Sequence, residues 1–205
     1  MSQKPVIIGG GSHARSLVAM APEHLRPEEY VDIELSMPLK WLGNDSDFLA
    51  NPEYADKPVV MGYIAPADYN MQPRRRIIEK YAEREFATLV SPSAVVMPDS
   101  VIGKGSQIFC NAVVNTGAFL GDHVVVNTGA IVEHDAVVGE NTFIGPGAVL
   151  CGGVTIGKDV YIGARAVIRN GVTVADGITV GIGCVVIRDL TVPGTYFGNP
   201  ARRLI

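Results

Sequence analysis

The tripeptide Glu133-His134-Asp135 is where this sequence concentrates chemistry. Histidine titrates near neutrality and can accept a proton at physiological pH, and a neighbouring carboxylate can fix its tautomer and raise its basicity. It closes Asn127-Thr128-Gly129-Ala130-Ile131-Val132-Glu133-His134-Asp135, the densest polar exception in an aliphatic region. Spacing alone also allows a surface histidine in a charged cluster. A second constellation lies near the N-terminus, where Gly9, Gly11 and Ala14 match G-x-G-x-x-A after a short apolar run. That pattern suits a phosphate at the start of the following helix, or a tight turn with no ligand. Asp32, near the end of an expected second strand, is placed to contact a ribose or base, or to stand as a solvated carboxylate. His123 falls in an expected turn, His24 in a loop, and Cys151 is either a nucleophile or a bystander thiol.

The elements that must position His134 follow a six-residue clock. Every sixth residue from Val90 to Val186 is Val, Ile or Leu, including Val132, with no slip of register. A small residue often stands two places earlier (Ala94, Ala112, Ala130, Ala148) and glycine often follows (Gly103, Gly121, Gly139, Gly157). A helical period of 3.6 cannot give this, and simple alternation does not require the glycines; the hexapeptide repeat of a parallel β-helix does. Three hexapeptides make one eighteen-residue coil of a triangular prism. The aliphatic residue points to the axis, the small residue sits near a corner, and glycine eases the turn. Coils spaced by roughly 4.8 Å predict about five turns and a column about 25 Å tall, stable only as a stack. Residues eighteen apart then lie above one another, so His134 sits between Thr116 and Gly152, with bare backbone above it. The outward residues form no obvious apolar stripe.

Residues 1–85 do not keep this clock. The pattern predicts strands at 5–8, 30–34, 58–64 and 86–90, helices at 15–21 and 73–83, and a loop with short helical turns at 35–57. This is a compact Rossmann-like β-α-β subdomain without a second mononucleotide half, so a nucleotide-sugar diphosphate suits it better than a dinucleotide. The expected division is a nucleotide-sugar domain over 1–85 and a β-helix over 86–205. The chain has 205 residues and a net charge of −4, which offers no basic footprint for nucleic acid. No run approaches the roughly eighteen apolar residues of a membrane span, and the first residues lack the pattern of a signal peptide. Three cysteines, an odd number without metal spacing, fit a reducing cytoplasm.

The runs NTGAIVEHDAVVG (127–139) and GPGAVLCGGVTIG (145–157), with GGGSHA at 9–14 and the closing GNPARRLI, resemble a bacterial family of sugar acetyltransferases. The family includes UDP-4-amino-sugar and perosamine N-acetyltransferases and sialic acid O-acetyltransferase-like proteins, and the resemblance spans nearly the whole chain. It implies a left-handed parallel β-helix, acetyl-CoA as co-substrate, no metal, and a homotrimer with sites at the seams. By the same resemblance His134 is the catalytic base and Asp135 raises its basicity, while the Gly152 amide holds the thioester oxygen. Gly11, Ser12, His13, Asp32 and Gly62 would contact the nucleotide sugar. Phe143, Ala164 and Ile182 would line the acetyl-CoA groove, the last two sharing the clock position of His134 as if along one edge. Tyr63 after Gly62 and Ser91 before Pro92 depart from the family pattern, which bears on nucleotide and sugar identity rather than on the reaction. The expected activity is N-acetylation of a nucleotide-linked 4-amino sugar for bacterial glycan synthesis. The alternatives are O-acetylation of a sialic acid, a metal-dependent hydratase (poorly served by two repeat-region histidines), and a non-catalytic nucleotide-sugar-binding protein.

Overall fold

The computed structural model describes residues 3–64 and 69–204. Its first unit is a four-stranded parallel sheet in the order β3-β2-β1-β4, built from β1 (Val6–Ile8), β2 (Glu29–Val31), β3 (Lys40–Trp41) and β4 (Val59–Met61). β1 pairs on both sides, Ile7 with Tyr30 and with Val60, and all three of its side chains are buried. A short run of aliphatic residues without alternation is what a strand covered on both faces requires. Helix α1 (Ser12–Met20) buries Ala14, Leu17 and Met20, a spacing that puts all three on one face against the sheet. Helix α2 (Asp45–Ala50) starts with a capping box between Asn44 and Asp47. Helix α3 (Gln72–Lys80) carries the fully buried Arg74.

The strand expected at 86–90 is not a member of this sheet. Phe86 makes a single bridge to Val59, and the chain then leaves. Leu89–Val90 pairs instead with Gln107–Ile108 and forms the first rung of the second unit. The fourth strand is Lys40–Trp41, only two exposed residues and too short a run to stand out in the sequence. The second strand stops at Val31, so Asp32 lies just beyond its carboxyl end.

From Leu89 onward two-residue strands recur every six residues and pair in parallel with strands eighteen residues away, as Phe119 does with Val101 and Val137. They form three faces of a β-helix. Face one runs through Gln107–Ile108, Val125–Val126, Phe143–Ile144 and Tyr161–Ile162. Face two runs through Val95–Val96, Val113–Val114, Ile131–Val132 and Val149–Leu150. Face three runs through Val101–Ile102, Phe119–Leu120, Val137–Val138 and Thr155–Ile156. Face two has six rungs. The clock residues from Ile108 to Val186 all lie in one buried core, while Val90, Val96 and Ile102 of the first turn are only partly covered.

The glycines following the clock residues do not ease turns as expected. A Cβ on Gly139 would lie 2.5 Å from the carbonyl carbon of Gly157, so these positions are small because successive coils touch there. The turns are made two residues later, where φ is positive at Gly129, Gly147 and Asp135 among others.

The first unit lies over face one. A shared apolar cluster joins Ile7, Leu17 and Met71 to Leu89, Phe109, Val125 and Phe143. Polar contacts reinforce it. Arg74 Nη1 donates to the His123 carbonyl at 2.9 Å and to Asn141 Oδ1, and Arg74 Nε donates to the Tyr63 carbonyl at 3.1 Å. Arg75 pairs with Asp159 at 2.8 Å and Glu140 at 3.0 Å.

Candidate active site

His134 stands on the corner between faces two and three, directly after strand Ile131–Val132. Its Nδ1 is 2.9 Å from Asp135 Oδ2. A carboxylate can only accept, so Nδ1 carries the hydrogen and the Nε2 lone pair is left free. Asp135 reaches back because its backbone is left-handed (φ 58°), a conformation Asp tolerates, and its amide is held by the Thr116 carbonyl at 3.1 Å. Gly117 leaves room for it, since a Cβ there would lie 2.6 Å from Asp135 Oδ1. The Asp135 hydrogen bond holds the His134 pKa above its ordinary value. The ring is exposed, so it meets solvent or a partner rather than its own core.

Gly152 lies one turn above. The Gly153 amide donates to the His134 carbonyl at 2.9 Å, and a Cβ on Gly152 would lie 2.6 Å from His134 Cε1 and closer still to Nε2. The imidazole therefore rests on bare backbone. At the same clock position elsewhere, the preceding side chain caps the amide: Asn115 Oδ1 accepts from Thr116 N at 2.7 Å, and Asn127 Oδ1 from Thr128 N at 2.7 Å. Cys151 has no such oxygen, and among the described residues nothing caps the Gly152 amide. Glu133 accepts from Asn115 Nδ2 at 2.8 Å and does not touch the imidazole.

The N-terminal candidates converge on a cavity of about 560 Å³ lined by Gly11, Ser12, His13, Asp32 and Gly62, with Ile33, Asp45 and Tyr63 at its wall. Gly11 is the N-cap of α1 and supplies no side-chain cap, so the first-turn amides face outward at the positive end of the helix dipole. A Cβ on Gly11 would meet nothing within 4 Å, whereas one on Gly62 would lie 2.5 Å from the Gly9 carbonyl oxygen. Glycine at 62 is thus a packing requirement. Asp32 is not a free carboxylate: it accepts from Gly10 N at 2.5 Å and Ile33 N at 2.6 Å, bracing the glycine turn against the end of β2.

Three sequence expectations change here. Phe143 is not an outward residue: it is buried, stacks on Tyr161 at 4.9 Å and belongs to the cluster beneath the first unit. Ala164 and Ile182 stack on each other, with Gly183 N donating to the Ala164 carbonyl at 2.9 Å, but on the corner between faces one and two. The clock class repeats every six residues and a corner only every eighteen, so sharing a class with His134 does not place them on its edge. Finally, an apolar stripe does exist. Val95, Val113, Ile131, Val149, Val167 and Val185 form the partly exposed outer column of face two, and Val101, Phe119 and Val137 stand 52%, 46% and 42% exposed on face three. Both flank the His134 corner. These residues immediately precede the clock positions, and only the eighteen-residue register shows that they line up.

His123 is a packing residue on another corner. It is buried edge-on against Phe86 at 4.5 Å, and burial pushes its pKa down to about 4. It shares no site with His134. The residue that the sequence did not single out is Gln107, fully buried on face one, which bonds both His13 and β4.

The profile described as bacterial transferase hexapeptide (six repeats) matches residues 117–152, the segment that contains His134 and Gly152. No curated protein matches the chain in sequence. Among solved structures, the acetyltransferase domain of PglB from Neisseria gonorrhoeae FA1090 in complex with acetyl coenzyme A is 32% identical, with a TM-score of 0.88 and all of both chains covered. PerB from Caulobacter crescentus, in complex with CoA and GDP-perosamine, is 28% identical with a TM-score of 0.86, covering 100% of this chain and 98% of its own. WeeI from Acinetobacter baumannii AYE, 22% identical with a TM-score of 0.83, shares the fold.

Proposed function

The chain belongs to the bacterial hexapeptide-repeat acetyltransferases that include the PglB acetyltransferase domain, and on that premise we propose that it transfers the acetyl group of acetyl-CoA to the amine of a nucleotide-linked 4-amino sugar. The observation that carries the reading is the His134–Asp135 pair set beneath the uncapped Gly152 amide. The sugar amine attacks the thioester carbon while His134 Nε2 takes its proton. The new C–N bond forms, the Gly152 N–H meets the developing oxyanion, and the C–S bond breaks. The CoA thiolate then leaves with the proton that the imidazolium returns, giving CoA thiol and the N-acetylated sugar. Positioned base catalysis supplies roughly 10²–10⁴ in rate and an oxyanion donor about 10²–10³.

The nucleotide sugar sits in the N-terminal cavity, its diphosphate on the first turn of α1 and its ribose or base towards Asp32 and Ile33. That cavity belongs to the unit over face one, while His134 occupies the corner opposite that face. We therefore place the working site between chains of a homotrimer, packed through the apolar flanks of faces two and three. The groove holding acetyl-CoA would then take His134 from one chain and Ala164 and Ile182 from another. Free thiols at Cys110, Cys151 and Cys184 suit a cytoplasmic step of glycan synthesis.

The test is release of CoA thiol from acetyl-CoA against UDP-, GDP- and dTDP-linked 4-amino sugars, with free and CMP-linked sialic acids as comparison. Turnover with one amino sugar is expected. Turnover only with sialic acids would move the chemistry to a hydroxyl acceptor, and silence with nucleotide sugar bound would leave a binding protein.

A further inference from the structure

Gln107 belongs to the β-helix, yet its side chain is fully buried inside the neighbouring unit. Its Nε2 donates to the Met61 carbonyl at 2.6 Å, at the end of β4, and its Oε1 lies 2.9 Å from His13 Nε2. The amide has only one orientation available. A carbonyl at one end demands the NH₂ group, so the oxygen must face His13, and His13 Nε2 must then carry the hydrogen. The other ring nitrogen, Nδ1, has no protein partner among the described residues, and His13 lines the cavity beside Ser12 and Gly11. The ring is further pinned by Phe109, with centroids 5.1 Å apart.

We infer that Gln107 is a positioning residue that fixes His13 as the Nε2–H tautomer, so that Nδ1 offers a lone pair to a hydrogen-bond donor on the ligand, a sugar or ribose hydroxyl or the amine. This rests on the reading of the cavity as the nucleotide-sugar site and divides the work within it: helix amides take the phosphates, and His13 reads a neutral donor. Burial keeps the ring uncharged, pushing its pKa down to about 4, and the Arg74 guanidinium acts in the same direction. The carboxylates on the cavity wall are Asp32, occupied by two backbone amides, and Asp45, which pairs with Lys80 and Tyr81. Neither contacts the imidazole.

Two measurements decide it. Long-range ¹⁵N–¹H correlation spectra of selectively labelled protein read the tautomer of each of the four histidines without any substrate. The expected result for His13 is a neutral Nε2–H ring down to about pH 5, near the lower end of histidine's usual range. An Nδ1–H ring would overturn the inference. Second, Gln107→Glu replaces the amide with a carboxylate that favours a doubly protonated ring, turning Nδ1 into a donor. KM for the nucleotide sugar should rise about tenfold or more, the scale of one mispaired buried hydrogen bond. That rise should grow as pH falls through the new ionisation, with kcat at saturation and KM for acetyl-CoA within about threefold. His13→Phe keeps the ring packing and removes both nitrogens, so it should raise the same KM without pH dependence, and it carries the test if Gln107→Glu fails to fold. An unchanged KM in the folded variant overturns the acceptor role. If the spectra show the Nε2–H ring but no nucleotide sugar binds to the wild-type protein, the substrate assignment has failed and not the tautomer lock.

Discussion

Gly152→Ala is the sharpest test of how His134 is held. The glycine has an ordinary backbone φ, so alanine meets no conformational penalty, and its added methyl points at the imidazole rather than into the core. That methyl would sit 2.6 Å from His134 Cε1, against about 3.5 Å for carbon atoms in normal contact. The exposed ring must therefore retreat by about 1 Å, and it has solvent to retreat into. Stability should hardly move, since Gly→Ala at a compatible site is worth only about 0.4–1 kcal/mol and favours folding. Catalysis should suffer, because a base displaced by about 1 Å costs on the order of 10²-fold, close to 2.7 kcal/mol in the barrier. The assay is steady-state CoA release, with a thermal melt on the same sample. A double-mutant cycle then isolates the cause: with the imidazole absent, Gly152→Ala should cost little beyond His134→Ala alone. Activity within about threefold of wild type would refute the reasoning, as would full additivity of the two losses.

The Asp135 bond gives a signed pH prediction. It stabilises the imidazolium and raises the His134 pKa, so kcat/KM should climb with pH through an inflection above the ordinary histidine value. Asp135→Asn should move that inflection down and lower the plateau at least about tenfold; an unmoved inflection would count against the pairing. Arg74→Leu strips donors from the Tyr63 and His123 carbonyls and Asn141 Oδ1. At a net cost of about 3 kcal/mol, the melting temperature should fall by roughly 6–12 °C, and a drop below about 2 °C would mean the clamp is dispensable. Phe119→Glu puts a charge in the apolar column of face three, and light scattering should show dissociation together with lost turnover. Mixing His134→Ala chains with Asp32→Ala chains should restore part of the activity if each site draws on two chains, and unmixed backgrounds should stay inactive.

Much of this was legible in the sequence because the β-helix is written in a local code. A residue every sixth place must be aliphatic to fill the axis, so strand positions, the core and the stacking of His134 beneath Gly152 all follow from counting. The glycine turn and the place of Asp32 at the end of a strand were legible for the same reason, being short-range features, while the bracing of that turn by Asp32 was not. What escaped depends on contacts distant in sequence. Lys40–Trp41 forms a strand only because β2 offers an edge, and residues 86–90 divide between two units because Phe86 bridges Val59 while Leu89 pairs with Gln107. Phe143 looks like any outward aromatic until the first unit is laid over face one. Gln107 reads as one more polar residue before a clock position; its partners, His13 and Met61, lie far away along the chain.

Arithmetic on the clock also bears on assembly. His134 and Ala164 are five hexapeptides apart, which is not a whole number of eighteen-residue turns, so one chain sets them on different corners. The first unit, with its cavity, is tied to face one and to the corner beyond face three through Gln107, Arg74 and Arg75. A single prism thus keeps His134, the Ala164–Ile182 pair and the N-terminal cavity on separate sides. The apolar cluster and the buried Arg74 hold the first unit against face one, away from the His134 corner. In the proposed trimer, rotation of a second copy about an axis parallel to the column would carry another chain's corner and cavity round to His134. The two apolar columns flanking His134 lie where such a copy must pack, so the force that assembles the chains would also assemble the site.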